Sequence, residues 1–360
     1  MSSLTTTNVR RREIAAVVGA TIALLAVTTT GTAADGQAIP ASDDAREIYS
    51  PGFLFAKGEY TRVQVPQART HNYSHGINNW GEIAGGFDSP SFDGPAGMGH
   101  ATVRKPNGRF VRFDVPGAVS TIANKISDRG WVVGGYSPTS VSVGAAVPGN
   151  QSFLRYPGGK LKAIRIPGSV GSQALGVNNR GAVVGEYLDP DGGFHGFKWR
   201  QGRLTTIDGP GPLGGILTDI NDDGEIVGGY VDGGGTIHGF LRDRRGRLHT
   251  IDAPGAPHFT ALFDINDRGQ IVGSAMDYDA EGNLIAARGF VLRKGVDGPF
   301  TQIDFPGSLG TIPRGINDHG RIVGIYGNPD AAPAAQRSRA AAAPLLDTLP
   351  LGLAGGSGPR

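Results

Sequence analysis

Aspartate and histidine recur along this chain at regular intervals, and they are side chains of acid–base and metal chemistry. Asp114, Asp208, Asp252 and Asp304 each close a short alternating segment, while His100, His195 and His238 each open another. Repetition argues that such a residue serves the repeat before it serves a reaction. The aspartates are expected to cap the proline-containing turns that follow them. Histidines at equivalent positions of a ring would lie too far apart to share one metal ion, whose bonds are about 2 Å. Hydrogen bonding between repeats is the role expected of them.

One segment stands outside the repetition. Asp277-Tyr278-Asp279-Ala280-Glu281-Gly282 alternates carboxylates before a glycine, as the start of a calcium loop does. Asp277, Asp279 and Glu281 are therefore a candidate calcium set, with Arg288 standing where a closing glutamate would be needed. A plain acidic turn is the alternative, and no other cofactor is expected. Tyr278, and Phe92 in another long connection, could stack on a sugar or pack on a protein, so both are candidate ligand-binding residues. No Gly-x-Ser-x-Gly elbow, phosphate loop or assembled nucleophile occurs in the sequence, so no catalytic residue is assigned. There is no cysteine, which excludes thiolate catalysis, thiolate metal sites and disulfides.

Six copies of one pattern carry these residues. They read GINNWGEIAG from Gly76 to Gly85, KISDRGWVVGGY ending at Tyr136, GVNNRGAVVGEY at Tyr187, DINDDGEIVGGY at Tyr230, DINDRGQIVGSA at Ala275 and GINDHGRIVGIY at Tyr326. Each places an Asn/Ser-Asn/Asp-x-Gly turn between two apolar runs rich in β-branched residues, which predicts a hairpin. Asn78, Asn178, Asn221, Asn266 and Asn317 are the turn formers. Gly81, Gly130, Gly181, Gly224, Gly269 and Gly320 take the positive φ that other residues resist. A second hairpin follows each first one. It opens on an x-Gly-Phe-like strand such as Gly196-Phe197 and turns at Gly58, Gly108, Gly159, Gly202, Gly246 or Gly298. It returns on alternating residues such as Leu204 to Asp208.

Four short strands in each period of 43–51 residues predict an all-β, six-bladed β-propeller of four-stranded blades. The chain starts on strands three and four (52–65) and ends on strands one and two (about 311–326). If strand one lies innermost, the two ends complete one blade and close the ring, which buries both sheet edges at the seam. This is the favoured phase; the other has strand three innermost and contiguous blades.

His195-Gly196-Phe197 and His238-Gly239-Phe240, with His100-Ala101-Thr102 keeping two of three positions, alternate with the Ile-Asn-x-x-Gly-x-x-Val-Gly hairpins. In this the chain resembles the extracellular HAF-repeat family of bacterial proteins over residues 52–326. The resemblance implies a secreted propeller-like protein and brings no catalytic residues with it. Repeats five and six depart from the histidine, with Arg288 and, across the seam, Pro51.

The ends agree with export. Arg10–Arg12, the apolar run Ile14 to Val27 and the small residues Thr32, Ala33 and Ala34 read as a signal peptide over 1–34, too short to span a bilayer comfortably. The Sec and twin-arginine routes both remain open. Residues 35–50 read as a linker, 51–327 as the propeller and 328–360 as a disordered Ala/Pro/Gly-rich tail. Between the two ends no basic run appears, and the formal charge of the whole chain is only +2, which argues against nucleic acid. The expected partner is an extracellular glycan or protein, with no membrane span in the mature chain and an open oligomeric state. The expected activity is non-catalytic binding through the face that gathers the long loops. The alternative is a hydrolase or lyase acting on a polymer at the propeller axis.

Overall fold

The computed structural model describes residues 50–328, apart from 67, 69–70, 90–97, 140–145, 213, 257–258, 279–283, 294 and 297. The expected signal peptide, most of the linker and all but the start of the expected tail lie outside the described residues, as do Phe92, Asp279 and Glu281.

The fold is a six-bladed β-propeller of four-stranded antiparallel blades. The chain opens with β1 (Gly52–Ala56) and β2 (Glu59–Val63). The first complete blade is β3 (Asn72–Ile77), β4 (Ile83–Ser89), β5 (Met98–Arg104) and β6 (Phe110–Phe113). The second is β7 (Ser120–Ile126), β8 (Val132–Ser137), β9 (Gln151–Arg155) and β10 (Leu161–Ile164). The third is β11 (Gly171–Val177), β12 (Val183–Leu188), β13 (Phe194–Arg200) and β14 (Arg203–Thr206). The fourth is β15 (Gly215–Ile220), β16 (Ile226–Val231), β17 (Ile237–Arg242) and β18 (Leu248–Ile251). The fifth is β19 (Thr260–Ile265), β20 (Ile271–Tyr278), β21 (Leu284–Leu292) and β22 (Phe300–Ile303). Finally β23 (Thr311–Ile316) and β24 (Ile322–Tyr326) join the first two strands in the order β2-β1-β24-β23.

The favoured phase is the observed one. β1 pairs with β24 through Gly52↔Ile325 to Phe55↔Ile322, so the sixth blade is shared between the two ends. The strands that precede the Asn turns pack on one another from blade to blade and are innermost. The six turn glycines have φ between +71° and +80° or slightly above, Gly224 reaching +83°. In the second hairpins one position differs from expectation. Gly295 (φ +60°), rather than Gly298, takes the left-handed conformation in the β21–β22 connection, and Gly298 N–H donates to its carbonyl. In the fifth blade β20 and β21 extend their pairing out to Tyr278↔Leu284, so Asp277 and Tyr278, the start of the candidate calcium segment, lie at the end of a strand.

Every innermost strand carries a bulge at the same place, where the register shifts between Ser74/Gly76, Ala123/Lys125, Ala174/Gly176, Leu217/Asp219, Leu262/Asp264 and Pro313/Gly315. The bulge explains the Val-Gly dipeptide of the repeat. A Cβ on Gly85, Gly134, Gly185, Gly228, Gly273 or Gly324 would come within 1.9–2.3 Å of an inner-strand carbonyl. In five of the blades that glycine lies opposite the phenylalanine of the third strand, and Phe53, Phe153, Phe197 and Phe240 are fully buried. Burying each such ring stabilises the fold by about 1.5–3 kcal/mol.

Candidate functional site

The turn end of the axis is laced shut by the repeat. The backbone N–H of each residue after the turn asparagine or serine donates to the side-chain oxygen of its neighbour. The sequence runs Asn79→Asp128→Asn179→Asp222→Asp267→Asp318→Asn79, at 2.7–2.9 Å. A second ring lies just inside. Asn78, Asn178, Asn221, Asn266 and Asn317 each donate Nδ2 to a main-chain carbonyl of the next blade at 2.9–3.3 Å. Ser127 is too short to make the sixth link, and its hydroxyl is buried without a partner. Partial desolvation at the rim, with the charges of Asp222, Asp318 and Asp128, pushes the solvent-facing Asp267 carboxyl up to about 6. The cavity inside this mouth has about 50 Å³ of free volume, room for a few waters and not for a sugar ring. Trp80 is 68% exposed on this face, its indole N–H donating to the Asp128 carbonyl.

At the floor of that cavity a charged cluster crosses the axis. Lys125 Nζ of the second blade lies 2.9 Å from Asp219 Oδ2 of the fourth and also contacts Asp264 Oδ2 of the fifth. These blades are not neighbours of the second, so the contacts can form only through the centre. The carboxylates also accept from the backbone, Ile265 N–H on Asp219 and Ile316 N–H on Asp264. Burial alone would depress the Lys125 pKa, but Asp219 and Asp264 outweigh it and raise it. Burial and the neighbouring Asp219 push the Asp264 carboxyl well above its usual range, against the pull of Lys125. The equivalent residues of the remaining blades are Gly76, Gly176 and Gly315, and a Cβ on any of them would meet the next inner strand at 2.6–2.9 Å.

The next layer is formed by the bulge residues themselves: His75, Asn124, Leu175, Thr218, Phe263 and Arg314. A bulge re-aims its side chain relative to the pleat, here into the axis. Arg314 Cζ lies 4.3 Å from the Phe263 ring centroid, and His75 Nδ1 lies 3.2 Å from Asn124 Oδ1. Burial and the Arg314 charge hold the His75 pKa down to about 3, and burial holds Arg314 down to about 10. Above this layer Tyr73 Oη donates to Asp88 Oδ2 at 3.3 Å, and His71 Nδ1 lies 3.0 Å from the same oxygen. Burial and Asp88 push the phenol well above its usual value.

The repeated histidines and aspartates turn out to be partners within a blade, not links between blades or caps of the following turn. His100, His195 and His238 Nδ1 lie 3.1, 3.0 and 2.8 Å from Asp114, Asp208 and Asp252. Each pair clamps the start of a third strand to the end of the fourth. Asp189 and Asp232 approach Nε2 of His195 and His238 from the preceding loop. The turn after Asp114 is instead held by Val115 N–H on Thr121 Oγ1 of the next blade. Of the candidate calcium set, Asp277 forms an ion pair with Arg288 at 3.0 Å, and the other two lie outside the described residues. The side chain of Tyr278 is also outside what is described. Among the described residues no group of three or more histidine or acidic side chains is arranged to hold a metal ion. No helix among them is long and apolar enough to cross a membrane.

The axial residues were not legible as a site because each is one member of a column. Aligning the six inner strands exposes that column: the residue two before the Ile/Val is never the same type twice. No family model and no curated protein matches the sequence. Among solved structures the chain is similar to a putative TolB from Agrobacterium tumefaciens, at 14% identity over 79% of this chain and 99% of that one, with a TM-score of 0.52. It is also similar to virginiamycin B lyase from Staphylococcus aureus, at 13% identity over 78% and 89% of the two chains, TM-score 0.44. AofleA from Arthrobotrys oligospora is 14% identical over 69% and 76%, TM-score 0.42. At these identities the likeness is one of fold.

Proposed function

We propose that this protein is an exported member of the HAF-repeat family. On this reading it is a binding propeller that engages an extracellular glycan or protein through the long-loop face and does not turn its ligand over. The observation that carries the reading is the protonation chemistry of the buried layers of the axis, below the exposed mouth where Asp267, raised to about 6, already has one carboxylate oxygen taken by Asp222 N–H. General acid–base catalysis works best with groups that titrate near the working pH. His75 is held near 3, Arg314 is held near 10 and Tyr73 is driven well above its usual value, while Lys125, Asp219 and Asp264 are sealed against one another. The turn face is closed by repeated hydrogen bonds, so the irregular connections on the opposite face are the surface free to vary.

Glycan and protein binding screens, run beside hydrolase and lyase assays on acidic and neutral polysaccharides, test the proposal. Binding without turnover is expected. Turnover that a single substitution at Tyr73, His75 or Arg314 abolishes would favour the catalytic alternative, since those are the axial groups not consumed by the charged cluster.

A further inference from the structure

Among the described residues, the axial cation Arg314 has no carboxylate partner. Its Nε and Nη2 are buried and have no hydrogen-bond partner among those residues. Those two nitrogens form the side of the guanidinium fork that grips a carboxylate with two parallel N–H bonds. The Phe263 ring covers one face, but a cation–π contact returns only about 0.5–2 kcal/mol, less than the several that desolvating a charge costs. Packing does not require a cation here, since Leu175 fills the equivalent position of the third blade.

His75 of the adjoining blade supplies the complementary group. Asn124 spends its amide nitrogen on the Ala174 carbonyl at 2.9 Å, so its oxygen is the atom that faces His75 Nδ1. Nδ1 therefore carries the ring proton, and Nε2 presents a lone pair, buried and without a donor among the described residues. With the ring neutral, this layer lacks an anionic acceptor for Arg314 and a hydroxyl donor for His75. Ile122, Ile216 and Ile312 belong to the buried apolar cluster that also contains Phe263 and Tyr73.

We propose that the layer around Arg314 and His75 binds a hydroxy acid, its carboxylate held in the Nε/Nη2 fork and its hydroxyl donating to His75 Nε2. This rests on the binding reading above and names a ligand class for it. The acid could be free and small or could be the acidic end of a glycan, and both offer the same chemistry to the site.

Calorimetric titration of the mature full-length chain with glycolate, galacturonate, acetate and galactose tests it. Glycolate is expected to bind, acetate about ten-fold more weakly for want of the hydroxyl, and galactose not at all. Galacturonate binding as well would assign the acidic sugar as the source; glycolate alone would assign a free acid. Arg314→Gln should lower glycolate affinity at least about ten-fold and should melt no lower than the wild type, because it removes an unpaired charge. His75→Leu should bring glycolate down to the acetate level. Failure of both acids to bind by roughly 10 mM, unchanged affinity in R314Q, or a lower melting temperature in R314Q would each overturn the site. A glycan or protein captured equally well by wild type and R314Q would overturn it while leaving the binding reading intact. Turnover of a polymer would do the reverse.

Discussion

At the turn end of the axis Asn79, Asp128, Asn179, Asp222, Asp267 and Asp318 make one hydrogen bond six times over. Further inside, the six bulge positions hold six different side chains. Both layers sit on the same repeated backbone and face the same axis. The difference is in what the side chain must satisfy. In the outer ring it accepts from a backbone N–H of the preceding blade, so only a short carbonyl-bearing side chain serves. At the bulge the backbone has already shifted register, and nothing in the repeat restricts what points inward. A column in which repetition fails inside a strict repeat is thus the place where this chain can hold chemistry, and Arg314 and His75 stand in it.

The largest expected effect breaks the boundary between the two layers. Lys125→Ala leaves Asp219 and Asp264 facing each other in the interior and should cost about 3–5 kcal/mol in denaturant unfolding. Replacing all three by Met, Leu and Leu should recover most of that loss. A harmless single substitution would mean that the cluster does not hold the axis together.

Within the outer rings, Asn266→Ala removes bonds to Asn317 O and Gln270 Oε1 and two backbone N–H contacts, a loss of about 2 kcal/mol. Leu175→Met in the variable column should change stability by less than about 1 kcal/mol. Thermal melts of the two variants measure the contrast directly, and equal losses would erase it. Gly224→Val and Gly269→Val test the turns alone, because a Cβ there meets nothing within 4 Å. The positive φ by itself should cost more than about 1 kcal/mol at each.

The smallest effect lies at the mouth. The folded pKa of Asp267 is raised to about 6, so the unfolded chain gives up that proton first as pH climbs from about 4. The Asp267 contribution to stability therefore falls between about pH 4 and pH 6. Asp267→Asn keeps the oxygen that Asp222 N–H needs, as Asn79 and Asn179 already do in their blades. It should flatten that fall, by less than about 1 kcal/mol because the residue is exposed. Unfolding curves of both proteins at pH 4 and pH 7 provide the check.

Several features were legible from local patterns. Alternation, the Asn-x-x-Gly turns and their spacing predict the blade count, and the half-blades at 52–65 and 311–326 predict the seam. The six glycines of the Asn turns are legible because positive φ is a property of one residue and its neighbours, whereas in the β21–β22 connection Gly295 takes the place expected of Gly298. The glycine that follows valine, or Ala84 in the first copy, has a reason no local pattern supplies, since that reason is a carbonyl on the adjacent strand. His195 and Asp208 were both noticed, but their pairing depends on the β13–β14 register, which brings residues 13 apart into contact.

The sequence by itself determined the hairpins, their number and the identity of the turn residues, since a period of two and a left-handed turn are settled over a few residues. Tertiary structure decided the axis. Asn317 donates to Asn78 O, and Asp318 N–H to Asn79 Oδ1, across 239 residues of chain. Lys125 finds its acids 94 and 139 residues away in blades that only ring closure sets opposite it. Closure fixes the distance from every inner strand to the axis at once, and no local pattern encodes that distance. The placing of Arg314 against Phe263, on the blade next to that of His75, exists only when the sixth blade has shut.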